Sequence, residues 1–313
     1  DVIIMKSTHP QLSPAEQAEI IVSLCEKLKA VHVFPELAER LCDSLEGHLA
    51  AGDYHGLHEG EFFALALRTH FQEVTRDEHL WVRWSEEPLP DDPGTLRQNP
   101  EWLAQRRKEA EAENFGFGKV AVLEGNVGTI EMLCFHPLEW VLETAAAAMT
   151  AVSGTDALIF DMRGCPGGSP EMVTFLSSYL FDERPVFLGG TYLRAEEITE
   201  EYWTLKEVPG KRYLEKLVYV LIGKGTFSGG EAFAYNLQAQ GRATLVGEQT
   251  DGGAHLASLY RLHPHMEASI PVGRAVNPVT GTNWQGIGVM PDVAVPVEDA
   301  FEEAYRLARE TSL

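Results

Sequence analysis

Ser228 follows an apolar run, Leu217 to Ile222, and a glycine-bearing turn, and it stands where a helical pattern begins. A hydroxyl placed there has the free N–H groups of the first helical turn beside it. Those groups favour negative charge and can stabilise an alkoxide or a tetrahedral oxyanion. This is the setting of an activated nucleophile. The same residue also reads as a helix cap, because serine is a preferred N-cap and Glu231, three residues on, completes a capping box. The segment by itself leaves both readings open.

The elements that would hold this serine alternate between strand and helix. From Lys119 onward the pattern gives strands at Val120–Leu123 and Gly128–Leu133, a helix near Leu138–Val152 and a strand at Ala157–Asp161. The glycine turn 164–168 leads into a helix at Pro170–Phe181, and strand 217–222 precedes the helix starting near Ser228. A further strand is expected at Ala243–Val246. Such alternation indicates an α/β core with parallel strands. In this class ligands gather at the carboxyl ends of the strands, where the turns 161–169, 223–230 and 247–255 fall. We therefore expect those three turns to meet. The polar, aromatic segment 189–206 reads either as a lid or as an ordinary excursion.

Before the core the chain looks helical. Ser13-Pro14-Ala15-Glu16 is a start signal, and Ile20, Ile21, Leu24 and Leu28 form a helical stripe. Phe34-Pro35 interrupts it. A second helix carries Leu37, Leu41 and Leu45, and a third carries Phe63, Leu67 and Phe71, which together suggest a small bundle. Trp81-Val82-Arg83-Trp84 alternates like a short strand. An acidic, proline-rich stretch from Glu86 to Gly94 reads as a linker, followed by a polar helix, Glu101 to Glu113. The expected organisation is a helical domain at 1–87, a linker with a polar helix at 88–118, and an α/β core at 119–313.

Composition narrows the function. The chain has 313 residues, 44% hydrophobic and 23% charged, as in an ordinary soluble globular protein. Its formal charge of −22 argues against nucleic acid, whose phosphates need a basic face. No apolar run approaches the roughly 20 residues of a membrane span. Cys25, Cys42, Cys134 and Cys165 lie far apart without a CxxC pair, which argues against a thiolate zinc site or redox motif. Asp1 to Thr8 has no long apolar stretch of the kind an export leader carries, but a leader removed earlier leaves the compartment open.

Six stretches, in order, resemble one known family. They are Val33-Phe34-Pro35-Glu36; Asp77-Glu78-His79-Leu80; Ile159-Phe160-Asp161-Met162-Arg163-Gly164-Cys165-Pro166-Gly167-Gly168; Thr226-Phe227-Ser228-Gly229-Gly230-Glu231; Val246-Gly247-Glu248-Gln249-Thr250-Asp251-Gly252-Gly253-Ala254-His255; and Gly281-Thr282-Asn283-Trp284-Gln285-Gly286-Ile287-Gly288-Val289-Met290-Pro291-Asp292. The chain is similar to the C-terminal-processing (tail-specific) and tricorn-type serine peptidases, and most to the branch without a PDZ domain that includes the interphotoreceptor retinoid-binding modules. The resemblance implies a small N-terminal helical bundle followed by a ClpP/crotonase-like α/β core with a mixed, partly parallel sheet.

The resemblance also implies roles. Ser228 matches the nucleophile, and the oxyanion hole resembles the Gly229 N–H paired with one from the Gly167-Gly168 turn. Tail-specific members use a lysine downstream of the serine; here Gln249 to Gly253 contains none, which excludes a Ser/Lys pair. The tricorn-type branch uses a histidine from the N-terminal part, and His79 matches it as general base. Where that branch has Asn-Trp-Glu-Gly, this chain has Gln285. Its amide oxygen can still accept the histidine N–H but supplies no charge. Asp77, Glu78, Asp251 and Glu231 are the carboxylates that could substitute. Glu231 could also support the serine from behind, and His255 could line the site. The resemblance implies no metal and no cofactor.

The expected function is thus a serine hydrolase acting on a peptide or small acyl substrate. Without a PDZ-like segment, short peptides are favoured over C-terminal tags. The alternatives are a binding protein for a retinoid or lipid-like molecule that has lost turnover, and a repurposed acyl-transforming enzyme.

Overall fold

The computed structural model describes residues 11–91 and 96–310. The expectation of no leader at Asp1–Thr8 and the 92–94 part of the expected linker lie outside them. In chain order the elements are α1 (Pro14–Val31), α2 (Pro35–Ala51), α3 (Gly60–Val74), β1 (Trp81–Trp84), α4 (Pro100–Ala112), β2 (Phe117–Leu123), β3 (Val127–Met132), α5 (Leu138–Val152), β4 (Ala157–Asp161), α6 (Pro170–Ser178), β5 (Phe187–Leu193), β6 (Ile198–Trp203), β7 (Leu217–Ile222), α7 (Gly229–Ala239), β8 (Thr244–Gly247), β9 (His255–His263), β10 (Met266–Val276), β11 (Val293–Ala294) and α8 (Ala300–Glu310). No helix among the described residues is long and apolar enough to cross a membrane.

The chain divides into two units. The first joins the N-terminal part through Ala104 to Leu193–Ile198 and His255–Arg274. Its α1 begins at the predicted start signal, which forms a capping box: the Ser13 hydroxyl accepts the Glu16 N–H at 3.2 Å, and the Glu16 carboxylate accepts the Ser13 N–H at 2.7 Å. Such a cap contributes about 1 kcal/mol. Ile20, Leu24 and Leu28 of α1 pack with Leu41 and Leu45 of α2 and with Phe63, Leu67 and Phe71 of α3. The same core takes in Val82, Met266, Ala268 and Ile270, because β1 pairs antiparallel with β10, and β10 in turn with β9.

This differs from the expected division at 87 and 118. The β9–β10 hairpin lies far along the sequence yet belongs to the helical unit, because its apolar residues complete the core of the three helices. The segment 189–206 is largely the strand pair β5–β6.

The second unit holds a six-stranded sheet in the order β11-β8-β7-β4-β3-β2. Only β2 runs antiparallel, to β3; β3, β4, β7, β8 and β11 are parallel to one another. Successive side chains alternate between the faces, and both faces are covered. Phe160, Val220 and Ile222 pack against Val141 and Met149 of α5, Met172 of α6 and Phe233 of α7. Ile159, Tyr219, Leu221 and Val246 face Ala300, Ala304 and Ala308 of α8, whose small side chains permit close approach. The alternation predicts an α/β core, and the mixed, partly parallel sheet is the one that the resemblance implies. It ends β4, β7 and β8 on one edge, at Asp161, Ile222 and Gly247.

Candidate active site

The three turns at that edge are tied together by hydrogen bonds. In the turn after β7, Gly223 N–H donates to the Thr226 hydroxyl oxygen at 3.0 Å, and the Thr226 hydroxyl donates to Met162 O at 2.8 Å. Phe227 N–H donates to Cys165 O at 3.0 Å. The serine's turn is thereby fixed to the glycine turn after β4.

Ser228 itself has φ +50° and ψ −114°. An ordinary N-cap residue is extended, with negative φ, as Ser13 and Ser169 are here at −77° and −59°. A non-glycine residue held at positive φ costs of order 1–3 kcal/mol, and such strain concentrates at functional sites. Capping alone gives no reason for it. The Glu231 carboxylate does accept the Ser228 N–H at 2.8 Å, as in the expected capping box.

The glycines beside the serine are demanded by space. Gly167 and Gly168 have φ +98° and +136°, a region that side chains rarely enter. A Cβ on Gly167 would collide with Gly229 N and Phe227 O, and one on Gly168 with Phe135 O. A Cβ on Gly229 would stand 2.8 Å from Gly168 N, so the Gly229 and Gly168 amides are close neighbours. The bridge from this turn to Phe135 runs through Gly167 O and Ser169 N–H, which leaves the Gly168 N–H outside it. Two backbone donors beside a serine are what a tetrahedral oxyanion requires.

Glu231 is fully buried and organises the third turn. Oε1 accepts from the Thr250 hydroxyl at 2.5 Å and Gly252 N–H at 2.8 Å; Oε2 accepts from Gly253 N–H and Ser228 N–H, each at 2.8 Å. Burial pushes its pKa up, against the pull of these four donors. Three of the partners are N–H groups that can only donate, so both carboxyl oxygens act as acceptors.

Gln285 lies in the same unit. Its Oε1 accepts Ala254 N–H at 2.7 Å, while its own N–H donates to Asn283 Oδ1 at 2.9 Å. The neighbouring Trp284 indole donates to Gly253 O at 3.0 Å. The Asn283-Trp284-Gln285 segment thus fastens the end of the 247–254 turn.

In the first unit the histidines gather on Asp77. His255 Nδ1 lies 2.6 Å from Asp77 Oδ2; His79 donates its backbone N–H to Oδ1 at 3.0 Å and has its ring Nδ1 3.5 Å from the same oxygen. All three residues are buried. Burial opposes charge on Asp77, yet the hydrogen bonds from His255 and His79 hold its carboxyl well below the usual range. The Phe34 ring meets His255 edge-on at 5.4 Å. His32, buried nearby in sequence from Phe34, accepts the Phe34 N–H at Nδ1, and burial lowers its pKa to about 4.

The residues expected at the site therefore fall into two groups. Ser228, Gly229, Gly167, Gly168, Glu231 and Gln285 belong to the second unit; His79 and His255 belong to the first, with Asp77. The pairing of Asp77 with His255 was not read from the sequence. Its only local signal is the Asp-x-His spacing of Asp77 and His79. Cys165 is a buried free thiol, and desolvation raises its pKa to about 12, so it has no thiolate character.

Residues 126–295 match the sequence profile of Peptidase family S41. The chain is 30% identical over 170 residues to a carboxyl-terminal-processing protease of Synechocystis sp. (strain ATCC 27184 / PCC 6803 / Kazusa), which takes in 54% of this chain and 38% of that protein. It spans well under half the length of the curated relatives it matches, at 33%, 38% and 42%. Among solved structures it is similar to the tricorn protease, with a TM-score of 0.63, 12% identity, and coverage of 96% of this chain and 37% of that one. It is also similar to a photosystem II D1 C-terminal processing protease, with a TM-score of 0.54, 14% identity, and coverage of 94% and 97%. At these identities the structural likenesses show the fold.

Proposed function

Since the chain belongs to peptidase family S41, we propose that it is a serine peptidase in which Ser228 is the nucleophile, His79 the general base and Asp77 the acid that orients and charges the base. The observation that carries this reading is the positive φ of Ser228 beside the paired amides of Gly229 and Gly168. A polypeptide is the substrate class that the family supports. Short peptides fit a chain without a PDZ-like segment between its helical part and its core.

In the proposed reaction His79 takes the hydroxyl proton as Ser228 Oγ attacks the scissile carbonyl carbon. The carbonyl oxygen becomes an oxyanion held by the Gly229 and Gly168 N–H groups. The imidazolium returns its proton to the departing amine, the C–N bond breaks, and an acyl-enzyme remains. Water, deprotonated by the same imidazole, then releases the acid and regenerates Ser228.

We assign the orienting role to Asp77 in place of Gln285. The amide oxygen of Gln285 is engaged by Ala254 N–H, whereas Asp77 carries negative charge against two imidazoles. Charge beside the ring stabilises the imidazolium that forms in the transition state, which an amide cannot do. The strained serine also favours a peptidase over a carrier for an apolar ligand, because a carrier has no use for the strain.

Hydrolysis of a mixed peptide library, read by mass spectrometry, tests the proposal. The wild-type protein should cleave peptides and Ser228→Ala should not, with both folded by circular dichroism. Equal cleavage by the two would reject Ser228 as nucleophile.

A further inference from the structure

His255 has no task in the proposed reaction, yet it makes a shorter contact with Asp77 than His79 does: its Nδ1 lies 2.6 Å from Oδ2. The two contacts from His79, the backbone N–H at 3.0 Å and ring Nδ1 at 3.5 Å, both fall on Oδ1. They come from a residue two positions along the same segment. The χ2 torsion of an aspartate is broad, so local contacts on one oxygen leave the carboxylate plane loosely set. His255 reaches the other oxygen from the first residue of β9.

His255 is itself held. It is buried, and the Phe34 ring meets it edge-on, with planes 63° apart. Its backbone stands opposite Arg274 in the β9–β10 register, and Val33 N–H, one residue before Phe34, donates to Pro271 O of β10 at 2.8 Å. The same hairpin therefore fixes both His255 and the ring packed on it. A carboxylate can only accept, so Nδ1 is the protonated nitrogen of His255. Burial pushes the Asp77 pKa up, and the hydrogen bond from His255 is the strongest pull bringing it down.

We propose that His255 is a positioning residue for the hydrolysis: its Nδ1–H pins Oδ2 of Asp77, so that Oδ1 stays turned to the His79 ring and the negative charge stays where the imidazolium forms. His255 takes no proton from Ser228 and touches no substrate. The Phe34-Pro35 break between α1 and α2 gains a purpose in this arrangement, since it sets the Phe34 ring against His255. The role presupposes the peptidase reading, in which His79 is the base.

The test compares His255→Leu, which removes the donor, with His255→Asn, whose amide nitrogen stands two bonds from Cβ as Nδ1 does. With both folded by circular dichroism, kcat for peptide cleavage should fall about 10–100-fold in His255→Leu while KM stays unchanged, the loss expected for one hydrogen bond to a charged group. His255→Asn has no imidazole and should recover most of that loss. Activity in His255→Asn as low as in His79→Ala would mean that His255 moves protons itself, and wild-type kcat in folded His255→Leu would mean that Asp77 needs no second anchor; either result overturns the proposal. Proton NMR gives a readout apart from turnover. The Nδ1–H shared with Asp77 should give a low-field resonance that vanishes in His255→Leu and moves upfield in Asp77→Asn. That resonance without any cleavage by wild type would support the anchored pair and reject the peptidase reading; its absence from wild type would overturn the proposal.

Discussion

Asp77 Oδ2 and His255 Nδ1 are 2.6 Å apart, although 178 positions separate the two residues in the chain. The other oxygen of the same carboxylate faces His79. One buried acid thus serves two imidazoles, and in the proposed mechanism it supplies the negative charge that the amide at position 285 lacks.

Replacing Asp77 with Asn should lower kcat/KM by as much as about 10⁴-fold, because the imidazolium loses its counter-charge and the tautomer its control. Gln285→Glu should then have little effect on the wild-type rate. Steady-state kinetics on a cleaved peptide will show both; a normal rate in Asp77→Asn would remove Asp77 from the mechanism.

The depressed pKa of Asp77 also sets a pH dependence. Its folded-state pKa lies below the unfolded value of about 4. Its contribution to stability is therefore fully present above about pH 4 and is lost as pH falls toward the folded pKa. Urea midpoints measured between pH 5 and pH 2.5 should fall more steeply for wild type than for Asp77→Asn. Parallel slopes would mean the carboxylate is not held in its charged form.

Ser228→Gly should abolish turnover and yet stabilise the protein by about 1 kcal/mol, since glycine adopts φ near +50° without strain. Chemical denaturation gives the difference directly. A loss of stability would show that the hydroxyl contributes more to the fold than the backbone strain costs.

Gly229→Ala tests the amide pair. The new Cβ would stand 2.8 Å from Gly168 N and force the two donors apart, lowering kcat by about 10²–10³ while KM changes little. An unchanged kcat would place the oxyanion elsewhere.

Glu231→Gln puts an NH₂ group where N–H donors converge, so at least one buried donor loses its acceptor. The expected cost is about 2–4 kcal/mol, with loss of activity as Ser228 and the 250–253 turn shift. Thermal unfolding with peptide assays will measure both.

How much of this was legible depended on distance along the chain. The Ser13–Glu16 start signal, the stripe Ile20-Leu24-Leu28 and the apolar run 217–222 are local patterns, and the helices and strands they predict are present. The gathering of the turns after β4, β7 and β8 followed from topology alone. Other features were hidden. β9–β10 joins the helical unit through contacts between Ile270 or Met266 and helices some 200 positions earlier, which no local period records. His255 read as a residue lining the site because its partner, Asp77, lies in the other half of the sequence. Gln285 read as an orienter because the motif places it there, and its bond to Ala254 is visible only in three dimensions.

The most direct measurement is the rate at which a fluorophosphonate labels Ser228, identified by peptide mapping, in wild type, His79→Ala and His255→Ala. The account predicts labelling at Ser228 in wild type, slowed at least about 100-fold in His79→Ala and slowed less in His255→Ala. No labelling of the folded wild-type protein, or equal rates in wild type and His79→Ala, would contradict it.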